Sequence, residues 1–447
     1  NGKFIPDVNK RIRLDPGTYT FVCHNDAFTK TATGLSIGSG ISTYPMMGTV
    51  TKTLSGGYET VSFNMKHLAA RVRAQVTTYT AYAKMKSNGT YLTAVGNKFS
   101  DMEFDNRGTF QQRVSSGPTL YTRDGIESFS NDGAKPYSYY VEPFDVISSY
   151  SYIPLAENEN IPANGLVYTL NGSYHGKEKQ KSITIDTPLE RNHTYLVKLT
   201  MKTKDPLYLY QDGTVGYAGD KEVGTREPIA LVINEKTATE KGMAVALKDA
   251  GQRGTPGFGY YNVGIGGDDG TINNMQGYDI TYTTNYCYYP GPTPTVPPAD
   301  IKSEPWETDG YAYYLAAHYN PGIQVTGSNV GKWFLASSGQ WTPLLVKYGE
   351  LDKSKMPSDF NIQTYTYEAH PCFAENSTTP LNTAKLASAF TQAGGTFSMD
   401  DQYPVSGTVN GGYAGYIGFT PTKVGWGYDP FVRNGTGAGL VHPFVYF

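Results

Sequence analysis

The chain has 447 residues, among them 37 Tyr, 50 Gly and 27 Pro, with 17% charged side chains and a formal charge of −3. That length exceeds one ordinary hydrophobic core, so two domains are expected. The near-neutral balance without a basic stretch argues against a nucleic-acid partner, whose phosphates need a dense Lys/Arg footprint.

No window approaches the about 18 consecutive apolar residues of a membrane helix, and no charged-then-apolar signal peptide is present. Asn1-Gly2 suits a hairpin turn, which a strand would precede; removal of an upstream segment is therefore expected. After Asp15-Pro16-Gly17, residues 18–25 alternate, with Tyr19, Phe21 and Cys23 on one face. Gly34-Leu35-Ser36-Ile37-Gly38 satisfies the G-x-S-x-G pattern. A nucleophile elbow needs a buried strand before its serine and a helix after it, and the flanks supply neither. Ser36 is not taken as catalytic.

Val61, Phe63 and Met65 alternate, and Leu68, Ala70, Val72, Ala74 and Val76 continue in the opposite parity. A parity switch near Lys66-His67 predicts a β-bulge or a break, because one extra residue inverts a period-two pattern. Arg71, Arg73, Gln75 and Thr77 are assigned to the solvent face. Tyr195, Val197, Leu199 and Met201 alternate with Lys198, Thr200 and Lys202. Many short strands between turn signals predict a sandwich over residues 1–204.

The polar, Pro-terminated run Lys202-Thr203-Lys204-Asp205-Pro206 marks the expected boundary, with an α+β domain over 205–447. Strands are predicted at 229–233, 243–247 and 440–447. Helices are predicted at 309–319, at 341–347 behind a Ser337/Gln340 capping-box spacing, and at 381–393. The last is expected to start behind Thr379-Pro380, with proline at its first position, and to stop at Gly394-Gly395. The Pro-rich run 289–299 has polyproline character and reads as an insertion within the second domain.

The histidines (24, 67, 175, 193, 318, 370, 442) are scattered and form no close ligand pair; His318 reads as a hydrogen-bonded packing residue. The oxygen-rich run Gly266-Gly267-Asp268-Asp269-Gly270, with Asn273-Asn274, offers calcium-type ligands. Its spacing is not that of an EF-hand, and turn chemistry accounts for it. Three cysteines exclude a disulfide framework and a four-thiolate zinc site. Cys23 reads as a buried free thiol, while Cys287 and Cys372 pair only if their Cα atoms lie within bridging distance. No carboxylate pair is singled out, so no catalytic set, metal or cofactor is expected. Tyr286, Tyr288 and Tyr289 crowd beside the Pro-rich run, where aromatic faces can stack on sugars or side chains. Ordinary core and turn packing is the weightier reading of these three tyrosines.

Two resemblances cover nearly the whole chain. Residues 14–21 (LDPGTYTF), Cys23-His24-Asn25-Asp26, Met46-Met47-Gly48 and residues 63–73 (FNMKHLAARVR) resemble the amino-terminal domain of fimbrillin-family, type V pilus proteins of Bacteroides-type bacteria. That resemblance implies an all-β, transthyretin-like sandwich. Residues 207–214 (LYLYQDGT), 244–250 (AVALKDA), 332–341 (KWFLASSGQW) and 441–447 (VHPFVYF) are similar to the carboxy-terminal module of Fibrobacter-succinogenes-major-paralogous type. That module has a C-type-lectin-like α+β fold. Ala336 stands where that module usually has proline, and the sugar-coordinating triplets of calcium-dependent lectins are absent; Glu304-Pro305-Trp306 is only a superficial echo. Trp333, Leu335, Ser337 and Trp341 then serve the core: a buried strand end, a helix cap and a ring packed back on it. The resemblances imply a non-enzymatic cell-surface pilus component, a minor or tip pilin or adhesin, with a lipid anchor on its precursor. Its expected partners are other pilin subunits, joined by strand addition, and a surface glycan or protein. The alternative they leave is a monomeric surface lipoprotein that binds glycan or peptide outside any pilus.

Overall fold

The computed structural model describes residues 12–38, 43–81, 84–96, 98–114, 119–122, 129–130, 144–174, 177–200, 203–219, 225–251, 272–283, 297–300, 312–358, 361–362, 378–399, 401–409, 413–429 and 439–447. The protein is mostly β, built of several antiparallel sheets with a few short helices toward the carboxy terminus. Its contacts divide the chain into two compact units. One comprises Asn1–Val76, Lys86–Ser128 and Asp145–Thr200; the other comprises Thr77–Met85, Phe129–Phe144 and Met201–Phe447.

In the first unit, Gly17–His24 pairs antiparallel with Met46–Leu54 in unbroken register, from Gly17 opposite Leu54 to His24 opposite Met47. Threonines line its exposed face, where Thr18 and Thr20 share hydroxyl hydrogen bonds with Thr53 (2.9 Å) and Thr51 (3.1 Å). Tyr19, Phe21 and Cys23 form the other, half-buried face. Cys23 is a free thiol and is half-buried rather than fully enclosed. The alternation expected at 61–65 survives in burial but forms no strand, since pairing resumes only at Lys66–His67, opposite Met46 and Met47.

The parity switch is a change of sheet. Leu68 N–H donates to Pro45 O (2.9 Å), and Leu68 O accepts from Leu155 N–H (2.9 Å). Ala69–Thr78 then runs in a second sheet with Phe144–Ile147, Ser151–Pro154 and Thr194–Thr200. Leu68, Ala70, Val72, Ala74 and Val76 are buried. Their polar neighbours depart from the expected solvent face: Arg71, Arg73, Gln75 and Thr77 are half-buried. The Arg71 guanidinium lies 5.1 Å from the Tyr44 ring centroid and 4.4 Å from that of Tyr150, and Arg73 lies 4.6 Å from Tyr150. Aromatic rings over arginine stems exclude water that a polar face would otherwise meet. Phe28, Leu35, Ile37, Met47, Leu68, Met102 and Phe104 form a core of this unit.

The second unit centres on a six-stranded sheet in the order Val215–Gly216, Tyr208–Tyr210, Pro228–Asn234, Met243–Ala246, Phe444–Tyr446, Trp333–Phe334. The closing strand is shorter than the eight residues expected. A tight turn joins the first two strands in sequence. Asp212 Oδ1 accepts from Thr214 N–H (3.0 Å) and Oγ1 (2.5 Å), and Gly213 takes φ +81°. A Cβ at Gly213 would lie 1.8 Å from Asn329 Oδ1, so glycine is required there by both conformation and space.

Among the described residues the α-helices are α1 (Gly277–Tyr282), α2 (Ala312–Ala317), α3 (Ser338–Gly349) and α4 (Thr383–Thr391). The Ser337/Gln340 capping box is present at α3, which is longer than the expected 341–347. The start of α4 corrects an expectation. Pro380 ends the strand Thr378–Pro380, which pairs with Lys423–Asp429, and Asn382 caps the helix by accepting from Lys385 N–H (3.1 Å). A ladder partner for Thr379 keeps the chain extended, so the proline closes a strand rather than opening a helix. The stop at Gly394 (φ +72°) lies just past the helix. Trp341 is buried at the centre of the main core, its ring 5.3 Å from that of Tyr403 and 5.1 Å from that of Phe444.

Candidate functional site

The aromatic group Tyr286, Tyr288 and Tyr289 lies outside the described residues, as do Cys287, Cys372, His175, His370, Glu304-Pro305-Trp306 and residues 266–270 of the oxygen-rich loop. Asn274, at the end of that loop, is committed to the fold. Its carbonyl accepts from Gly339 N–H (2.9 Å) and from Ser337 Oγ (2.5 Å). Ser36 sits in the strand Gly34–Ile37, between Thr29–Lys30 and Asp101–Asp105, and among the described residues no helix follows before the strand Met46–Leu54. His318 is exposed, stacked on Tyr314 at 4.0 Å, with Nδ1 3.0 Å from the Tyr314 carbonyl. Among the described residues, no group of three or more His, Cys, Asp or Glu could hold a metal ion.

Two features stand out instead. The first is a sheet edge in the first unit. Gly17–His24 is bonded to Met46–Leu54 on one side, and among the described residues no strand pairs with the other. Its sequence, GTYTFVCH, contains no Lys, Arg, Asp, Glu or Pro. Proteins normally blunt such edges with charge, proline or brevity. This unit does so elsewhere. The outer strand Lys177–Ile185 opens KEKQK and is exposed, Phe110–Val114 carries Arg113, and Ser151–Pro154 ends in proline. Among the described residues of the unit, Gly17–His24 is the only edge strand of more than four residues without such protection.

The second is a cleft in the second unit, an open cavity of about 470 Å³ lined by Asn234, Glu240, Lys241, Met243, Met275, Tyr278, Asp279 and Tyr446. The sheet brings Met243 opposite Tyr446. Helix α1 supplies Tyr278 and Asp279, and close contact anchors it. A Cβ at Gly277 would lie 2.3 Å from Gln340 Oε1 and 2.6 Å from Leu335 O, so only glycine lets α1 approach the start of α3. Tyr282 donates to Trp333 O (2.5 Å) and Tyr278 packs edge-on against Phe334 at 5.5 Å. Gln340 acts twice: its Oε1 accepts Ser337 N–H (2.9 Å), and its Nε2 donates to Tyr446 Oη (2.7 Å).

The Tyr278 and Tyr446 rings meet at 5.8 Å and 55°, walling the cleft. The Lys241 ammonium lies 5.8 Å and 5.4 Å from their centroids. Burial, with the Asp279 charge adding to it, pushes the Tyr278 phenol above its ordinary range. Burial does the same to Tyr446, outweighing the hydrogen bond from Gln340. Both rings are therefore neutral, amphipathic surfaces at physiological pH. Carboxylates, an amide and an ammonium stand around them. Sequence reasoning offered Tyr286, Tyr288 and Tyr289 as a binding lead, with ordinary packing the weightier reading, and did not find this cleft, whose lining comes from three separated segments.

No family model and no curated protein matches the chain. Among solved structures it is similar to a fimbrial protein of Bacteroides ovatus, at 11% identity and TM-score 0.30, over 90% of this chain and 76% of that one. It is similar also to two candidate cell adhesion proteins. The one from Bacteroides fragilis shows 12% identity and TM-score 0.27 over 43% of this chain and 63% of that one. The one from Bacteroides thetaiotaomicron shows 16% identity and TM-score 0.24 over 44% and 73%.

Proposed function

We propose that the chain is a cell-surface pilus component of the fimbrillin kind, a minor or tip subunit that joins a fibre by accepting or adding a strand. In this reading residues 1–204 form a transthyretin-like sandwich and residues 205–447 a C-type-lectin-like module. Other pilin subunits are its partners, and the outer membrane or the pilus is its location, reached through a lipid-anchored precursor. The observation that carries the reading is the long, uncharged edge of Gly17–His24, which pairs on one side only among the described residues. Main-chain hydrogen bonds along such an edge give affinity, and side chains at every second position give register. The motif resemblance of residues 14–26 falls on this same strand.

Mixing the chain with stalk subunits under maturation conditions is expected to cap fibres and give complexes that survive detergent. Thr20→Lys puts a charge on the exposed face of the edge and is expected to reduce incorporation while leaving the melting temperature within about 1 °C, as for surface changes generally. Polymerisation of the chain alone into long fibres would overturn the tip role. The cleft favours a second reading, a monomeric surface lipoprotein that binds glycan or peptide; absence of any detergent-resistant complex with pilins would select it.

A further inference from the structure

We infer that the cleft walled by Tyr278 and Tyr446 binds a neutral pyranose unit of a glycan. The inference is independent of the strand edge, because every residue it uses lies in the second unit. The volume, about 470 Å³, falls in the range of small-ligand sites. Two neutral phenol rings at an angle give an amphipathic corner against which the C–H face of a sugar ring packs. The side chains of Met243, buried in the sheet, and Met275, half exposed beside α1, add further apolar lining. Around this corner Asp279 and Glu240 offer acceptors, Lys241 offers donors, and Asn234 offers both. Alternating apolar faces and hydroxyls in the ligand match alternating rings and polar groups in the wall.

Charge narrows the class. Two carboxylates against one ammonium leave the rim net negative, which disfavours sialic and uronic acids. The Lys241 ammonium already lies over both rings, so a cationic side chain from a peptide meets a like charge in the position it would need. A polyhydroxylated ligand without net charge suffers neither penalty.

Saturation-transfer NMR on the full chain tests this. The probes are glucose, galactose, mannose, N-acetylglucosamine and their disaccharides, with N-acetylneuraminic acid and a lysine-rich peptide as contrasting arms. At least one neutral sugar is expected to receive saturation at its ring protons. Glu240→Gln together with Asp279→Asn should weaken that binding by about tenfold or more, the scale of lost charge-assisted hydrogen bonds. Both side chains are exposed, so the melting temperature of this variant should not change. Tyr278→Ala should abolish binding, and is read only where circular dichroism matches the parent. Failure of every neutral sugar to bind overturns the inference. So does preference for the acidic sugar or the peptide, or binding undiminished in the double variant.

Discussion

Glu159 shows how a single side chain in this fold carries a pH dependence. Burial opposes its ionisation, but hydrogen bonds from Arg113, Lys98 and the Ala156 N–H outweigh burial and hold its carboxyl down at about 2. Arg113 is itself spread over Glu159, Lys98 O (3.1 Å), Ser100 O (3.3 Å) and Pro154 O (2.8 Å), so the pair ties three segments together. A carboxyl whose folded pKa is depressed gives stability that is complete above its unfolded value, near 4.5, and lost as pH falls toward 2. Glu159→Gln is expected to cost about 2–3 kcal/mol near neutral pH, less than a fully buried pair because both partners keep some solvent contact. It should also flatten the acid limb of a urea-denaturation series taken from pH 6 to pH 3. Lys347 is depressed as well, so stability again rises with pH through its window, but here the fold disfavours the charged form. Its ammonium donates to Val232 O and Ile233 O (3.1 Å each), yet burial, against the nearby Glu235 charge, pushes it down to about 8. Between pH 8 and its unfolded value of 10.5 the unfolded chain binds more protons, so stability rises with pH there. Buried tyrosines such as Tyr348, pushed up by burial, reverse the trend once unfolded tyrosines ionise near pH 10. The melting temperature should therefore climb from pH 8 to pH 10. Lys347→Met should reduce that climb, leaving the share due to Lys236, which burial also lowers to about 8.

Elements were legible in the sequence wherever the signal was local. The alternation of residues 18–25 and 68–76 specified strands because one face of each is covered, half-buried in the first and buried in the second, and a one-residue slip would expose it. The Ser337/Gln340 spacing specified the start of α3 because both halves of a capping box lie within one turn. Signals failed where the deciding partner is distant. Pro380 looks like a helix opener until Val424 is placed opposite Thr379. The six-residue α1 has no side-chain cap at Gln276 and depends on contacts with Trp333, Phe334 and Gln340, so no local pattern marks it. The solvent assignment of Arg71 and Arg73 failed because Tyr150 lies far along the chain. The cleft was invisible for the same reason, its walls being assembled from residues near 240, near 278 and at 446. Edge protection, by contrast, can be read once strands are ordered. Reversing it gives an element-scale prediction: Lys179→Val with Lys181→Val on the outer strand should promote self-association, measured by light scattering at constant monomer stability.

At the scale of the whole chain, each unit has an apolar core of its own, around Met102 and Phe104 in one and around Trp341 in the other. A core is the natural cooperative unit of unfolding, so calorimetry is expected to resolve two transitions rather than one. Substitutions assign them. Glu159→Gln acts only on the first unit's network. In the second unit His442 is fully enclosed, with Nδ1 2.6 Å from Asp249 Oδ1 and Nε2 2.6 Å from Ala246 O. Both ring nitrogens thus face acceptors, and the ring fastens the closing strand to the connection after Met243–Ala246. His442→Leu removes the ring that bridges the half-buried Asp249 carboxylate and the Ala246 carbonyl, a loss of about 2 kcal/mol or more. Each variant should lower one transition by several degrees and leave the other in place. A single transition shifted by both variants would mean that the two cores melt as one, and the chain would then have to be treated as one cooperative body.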